Sequence, residues 1–506
     1  MKPCSLPTPR RLAGRAAPLL LALAAAGCAV QPQPLSTEER QAAAQDGLAR
    51  MFAEQEPLQG PVTLDEAMAR ALKYNLDHRV KLMEDAVARR QFDLSGLDLL
   101  PRLAASAGYT SRDNEQASSS RDIVTGTQSL VPSTSTDRQR RTADLTLSWN
   151  VLDFGVSYYT ARQNADRWLA AQERRRKVQH LLMQQTRQAY WQAAGAQQLE
   201  DRISPMLERA GAALADARKV EDEKLRSPLE ALNYQRQLLE IVRQLETMRD
   251  ELAQAKPRLA SIMNLRPGER FTVAVPPAMD APPVALPAEK MEEAALLRRP
   301  ELVEAQYNER IGVLETRKAL SRLLPGLELS LGAHHDSNSF LVNNDWSEAG
   351  LRLSWNLLNV FQADRIRGLA QAQLDVARQQ RLALNMAVLA QVHVSRLEFL
   401  ARARQYDLTR QSNTVEQRIL LQTRNAASAN AQGRLEEIRA ATSAMMAELR
   451  LYQNYGTLQG AYGQVIATLG LDPLPDSVPA HDLQSLREAV RASEKAWAQA
   501  VNPEKT

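Results

Sequence analysis

The stretch LTLSWNVLD at Leu145–Asp153 returns as LRLSWNLLN at Leu351–Asn359, identical at six of nine positions and offset by 206 residues. The same offset aligns Leu229-Glu230 with Leu435-Glu436 and Leu265 with Leu471, with no gap between. Upstream, LLPRL (Leu99–Leu103) matches LLPGL (Leu323–Leu327) at an offset of 224. The 18-residue difference between the offsets must lie between positions 103 and 145, where the polar stretch Thr110–Thr142 sits. The chain is therefore one unit written twice, and the copies differ mainly in one loop, longer in the first.

Each copy reads helix, strand, loop, strand, long helix, turn, long helix. In the first copy a helix is expected from Thr63 to Leu99, with Asp65 and Glu66 in its opening turn, where the helix dipole favours acids, and with Pro101 as its stop. Leu103, Ala105, Ala107 and Tyr109 alternate with small or polar residues, as do Leu145, Leu147, Trp149 and Val151. Period-two patterning of that length suits strands with one apolar and one polar face. The second copy repeats it with Leu327, Leu329, Leu331, Ala333 and with Leu351, Leu353, Trp355, Leu357.

From Ser157 to Asp222 only Pro205 interrupts a helical pattern, which predicts a helix about 90 Å long with a kink or a shifted boundary at Pro205. A return helix should begin at Ser227-Pro228, with Pro at its first position. Leu238, Leu245, Leu252 and Leu259 then recur at sevens, interleaved with Ile241, Met248, Ala255 and Ile262, the seam of a coiled coil. Pro257 and its repeat partner Gly463 are expected to soften both return helices at one height. The resulting division is a leader at 1–27, an N-terminal segment at 28–62, repeats at 63–265 and 289–471, a Pro-rich linker at 266–288, and a tail at 472–506 expected to pack outside the main helices or stay mobile.

Lys2, Arg10, Arg11 and Arg15 precede the apolar run AAPLLLALAAA (Ala16–Ala26), which is too short for a mature membrane span and reads as an export signal. These four cations account for the formal charge of +4, and the remainder balances at 59 against 59, which argues against a nucleic-acid partner. Ala25-Ala26-Gly27-Cys28 is similar to a bacterial lipoprotein cleavage box, with Ala25 where Leu is usual. Cys28 is then either acylated as the first mature residue or an ordinary thiol left by cleavage at Ala-x-Ala. Cys4 lies in the leader, so the mature chain has one cysteine and no internal disulfide. No later segment has the apolar length of a membrane helix, so a membrane would be crossed by strands. Four strands per chain cannot close a barrel, since about eight is the minimum; three chains would supply twelve.

Together, the Thr-Leu-Asp-Glu-Ala start at Thr63, the Leu-Pro-x-Leu junctions, the Leu-x-Leu-Ser-Trp-Asn strands, the tandem repeat and the cysteine box resemble the TolC-like outer-membrane efflux proteins, lipoprotein branch, over residues 60–472. That resemblance implies a mainly α fold with a small β part: long antiparallel coiled-coil helices, and four strands contributing to a twelve-stranded barrel of a homotrimer. It also implies residence in the outer membrane, and export through a periplasmic adaptor and an inner-membrane pump, with no catalysis and no cofactor. Family members narrow the tunnel at the turns between the long helices, and Glu230 and Glu436 fall at the matching positions; Arg439 stands where a second acid is expected. Rings of carboxylates there would attract cations. The alternative is that both glutamates merely complement helix N-termini in solvent.

Tyr109, Trp149, Phe154 and Trp355 lie at or near strand ends and are candidates for an aromatic belt. His334-His335-Asp336 reads as an exposed polar cluster in an extracellular loop, not a metal site. There is no Gly-rich phosphate loop, Gly-x-Ser-x-Gly elbow or His-Glu-x-x-His. Two alternatives to a solute channel remain: a non-conducting, lipid-anchored periplasmic scaffold built on the same heptads, and a channel for protein or polysaccharide.

Overall fold

The computed structural model describes residues 32–151, 153–223, 227–275, 279–429, 434–475 and 480–502. The leader and Cys28 lie outside these residues. Two units are present, one ending at Glu56 and one spanning Pro57–Thr506. The described part of the first is a single helix, α1 (Thr37–Phe52), started by a reciprocal Ser36–Glu39 capping box and burying no residue.

In the second unit, the first copy contains α2 (Leu64–Tyr74), α3 (Leu76–Leu97), β1 (Arg102–Ser111), a short hairpin β2 (Ala117–Ser118) and β3 (Ser133–Thr134), β4 (Gln139–Asn150), α4 (Phe154–Asp222) and α5 (Pro228–Ile262). The second copy contains α6 (Ala288–Arg298), α7 (Pro300–Ser321), β5 (Gly326–Asp336), β6 (Asp345–Ser354), a 3-10 turn, α8 (Ala363–Ala429) and α9 (Arg434–Thr468); α10 (Leu483–Val501) follows. Adding 224 to the bounds of α2 and α3 gives those of α6 and α7, and adding 206 to the bounds of α5 gives those of α9. The excess loop of the first copy holds the β2–β3 hairpin.

The helix expected from Thr63 to Leu99 is two helices. Asn75 leaves the helical region (φ −59°, ψ 126°), and its side-chain oxygen accepts the His78 N–H, so it caps α3. Its amide also donates to the carbonyl of Ile262 at 3.2 Å, fixing the corner against the end of α5. The equivalent corner in the second copy, Arg299, is extended because Pro300 follows it.

Neither Pro205 nor Pro257 ends its helix. Both are exposed, so the carbonyl each leaves without its helical partner is open to solvent. Gly463 has a different cause from its partner Pro257: a Cβ there would lie 3.3 Å from the Gln184 Cα, so the glycine lets α9 approach α4. The heptad leucines Leu238, Leu245, Leu252 and Leu259 are all buried, as are Ile241, Met248 and Ala255.

Strands and helices share one order. The sheet runs β1-β4-β5-β6, antiparallel throughout. The helices continuing those strands pack side by side as α3-α4-α7-α8, while α5 packs on α4, and α9 on both α8 and α4. The linker is ordered where described: Val62 bridges Val273, and Phe271 and Val273 are buried. The tail is packed where described, for α10 lies on α2 and buries Leu486, Val490 and Trp497.

Candidate functional site

The ladder register assigns each strand residue to a face. One face carries Leu103, Ala105, Ala107 and Tyr109 of β1, opposite Leu147, Leu145, Ala143 and Arg141 of β4. It continues through Leu329, Leu331 and Ala333 of β5 to Leu351, Ala349 and Ser347 of β6. The other face carries Arg102, Ser106, Arg140, Asp144, Glu328, His334, Asp336, Trp346, Glu348 and Arg352. Apolar on one side and charged on the other is the patterning of a barrel wall between lipid and water. The outer edges of β1 and β6 pair with no strand among the described residues. An unpaired edge of about ten residues is a template for another strand.

Tyr109 and Trp149 lie on the apolar face at opposite ends of the sheet, and both are exposed. Trp355, just beyond β6, shares the Trp149 end and donates its indole N–H to the Leu323 carbonyl at 3.1 Å. Phe154 opens α4, and its side chain lies outside the described residues. The His334-His335-Asp336 stretch is not loop: it ends β5, and the period-two alternation simply continues through it. His334 Nδ1 donates to Asp144 Oδ1 at 2.7 Å on the polar face, while His335 bonds Asp345 on the other. Among the described residues no group of three metal-ligating side chains forms, and no helix is long and apolar enough to cross a membrane.

At the far end of the long helices, Glu230 lies in the first turn of α5 and Glu436 in the first turn of α9, both exposed. Arg439 is engaged within the chain: it donates to Glu436 Oε1 at 2.8 Å and, across the helix pair, to the Gln237 side chain on α5. Glu437 is bound by Arg209 of α4 at 2.9 Å. Gln237 had no sequence signal, since it stands 202 residues from its partner. The turn residues 224–226 and 430–433 lie outside the described residues.

No family model matches the chain. Over 331 residues it is 26% identical to the probable outer membrane lipoprotein SilC of Salmonella typhimurium, a match covering 62% of this chain and 64% of that protein. The matched stretch thus spans just under two thirds of that relative. Among solved structures, the outer-membrane channel OprN superposes with a TM-score of 0.61 at 20% identity, covering 80% of this chain and 89% of that one. The CmeC outer membrane channel of Campylobacter jejuni superposes with a TM-score of 0.63 at 14% identity, covering 88% and 90%. The repeat, the open-edged sheet and the paired long helices are thus the fold of the outer-membrane efflux channels, the TolC-like architecture that the sequence resembles.

Proposed function

We propose that three copies of this chain form an outer-membrane channel of a tripartite export system, carrying solutes from a periplasmic adaptor and inner-membrane pump to the exterior. One observation carries the reading: the four-stranded sheet has an apolar and a charged face, and is open at both edges. Closing those edges with two further copies gives twelve strands, with the charged face inward. The likeness to channels of this fold supports the same reading. The protein then acts as a conduit and not an enzyme, needs no cofactor, and is held to the outer-membrane lipid by its strands and by acylated Cys28. Tyr109, Trp149 and Trp355 would sit at the lipid–water boundaries. Glu230 and Glu436 would ring the periplasmic aperture, with Arg439 bracing it.

Single-channel recording in planar bilayers, with the oligomeric mass measured on the same preparation, tests the proposal. A trimer giving discrete conductance steps is expected. A lipidated trimer with no current, together with release from the membrane on Cys28→Ala, would instead establish the anchored scaffold.

A further inference from the structure

The polar face of the sheet holds its charges in rows set by the register. At the top Arg140 and Asp336, one row apart on neighbouring strands, neutralise one another, their closest approach being 2.5 Å. In the lowest charged row Glu328 stands opposite Arg352. Between them lie three rows: Ser106–Asp144–His334–Trp346, then Ala104–Thr146–Gly332–Glu348, then Arg102–Ser148–Ser330–Gly350. The formal charges of the first two rows, the band that surrounds His334, are Asp144, Glu348 and whatever His334 carries; Arg102 stands in the third, at the far side of Glu348.

His334 is held firmly in this wall. Its Nδ1 bonds Asp144 Oδ1, and Ser106 Oγ donates to the other carboxylate oxygen at 3.2 Å. The Trp346 ring stacks on the imidazole with centroids 5.3 Å apart at 21°. Beneath it lies Gly332, where a Cβ would come within 2.4 Å of the imidazole Nε2. The charged groups facing it are Asp144 from β4, Glu348 from β6, and Asp336 two places along β5, already bound by Arg140. Its neighbour His335 faces the opposite side of the sheet, with Asp345.

We propose that the Asp144–His334 pair makes the ion selectivity of the barrel interior pH-dependent, His334 adding one positive charge per chain to a band otherwise lined by Asp144 and Glu348. The inference rests on the channel reading. Imidazole is the ordinary side chain whose charge changes between about pH 5 and 8, whereas carboxylates stay ionised across that window. With His334 neutral the band carries −2 per chain (Asp144 and Glu348), and with it protonated −1. Charged rings facing a water-filled pore set which ion sign is concentrated there.

The test is the reversal potential of the reconstituted channel in a potassium chloride gradient, at about pH 8 and about pH 5. The wild-type potassium-to-chloride permeability ratio should fall roughly twofold on acidification, following the charge of the band. His334→Gln should hold the alkaline ratio at both pH values. Asp144→Asn at about pH 8 should match the wild type at about pH 5, since each band then carries −1 per chain. An unchanged pH response in His334→Gln, or none in the wild type, would overturn the inference while leaving the channel intact. Absence of any current, and so of any reversal potential, would remove the channel reading and this inference with it.

Discussion

The helices α4 and α8 are the same element written twice, 69 and 67 residues long, yet they meet opposite surroundings. Around α4 stand α3, α7, α5 and α9, and it buries Leu182, Tyr190, Trp191, Leu199 and Ile203. At the edge of the layer, α8 leaves Leu369, Val376, Met386, Val394, Leu397 and Leu408 exposed. The opposite edge, α3, exposes Val80, Met83, Val87 and Leu94. These two apolar stripes continue the two open strand edges, because α3 leads into β1 and α8 follows β6. A monomer in water rarely exposes so much contiguous apolar surface. Position in the layer, not helix composition, decides whether a stripe is covered by its own chain or awaits a neighbour.

The sharpest contrast is between Trp191 and Leu397, repeat partners at offset 206. Trp191 is 4% exposed and packs edge-on against Tyr455 at 4.5 Å; Leu397 is 62% exposed. Leu397→Glu should leave the folded chain's own stability within about 0.5 kcal/mol, as surface changes usually do. In the proposed trimer it should nevertheless place a desolvated charge in the seam between copies and so prevent assembly, and light scattering on the detergent-solubilised protein should report single chains. A trimer that survives this change, and Met386→Glu as well, would mean that the α8 stripe faces something other than another copy.

Trp191→Ala should do the reverse. Removing a buried indole costs about 3–5 kcal/mol through lost burial and the cavity left behind. Thermal melting followed by circular dichroism should show a marked loss of stability, while the protein that remains folded still assembles. If the two substitutions had equal effects on melting, the distinction between the covered and uncovered copies would fail.

A finer contrast lies four residues on, where Gly195 of α4 is matched by Ala401 of α8. A Cβ on Gly195 would fall 2.4 Å from the Cβ of Tyr452 on α9, whereas Ala401 is exposed. Gly195→Ala should therefore destabilise by about 1–3 kcal/mol through overpacking. Ala401→Gly should cost no more than about 1 kcal/mol, the helix-propensity difference alone. Both are read from chemical denaturation midpoints.

Much of this was legible because the chain repeats. The offsets of 206 and 224 matched the two copies, the period-two alternation located the strands, Pro228 after Ser227 placed the start of α5, and the heptad leucines gave its buried seam. The break at Asn75 was hidden because Asn caps and Asn within helices look alike in one copy, although Pro300 marks the same corner in the other. His334-His335-Asp336 reads as loop because the end of β5 is polar, without the apolar face by which a strand of a globular core is recognised. What sequence alone cannot supply is which stripe is covered, since α4 and α8 carry comparable helical patterns and the fold alone sets their neighbours. Cross-helix partners such as Arg439 and Gln237 fall beyond its reach for the same reason.

That last pair offers the smallest expected effect. The repeat partners of Arg439 and Gln237 are Asn233 and Ser443, so this tie between α5 and α9 exists once per chain and has no second copy. The Arg439 side chain is 43% exposed and its Glu436 partner 60%, so water screens the charges and their loss should cost under about 1 kcal/mol. Arg439→Ala should leave melting almost unmoved and trimer mass unchanged. Loosening the two return helices where they approach the turns should instead lengthen channel openings in planar bilayers. Unaltered gating would show that the tie only steadies the helix pair, and that Glu230 and Glu436 act, if they act on ions at all, without it.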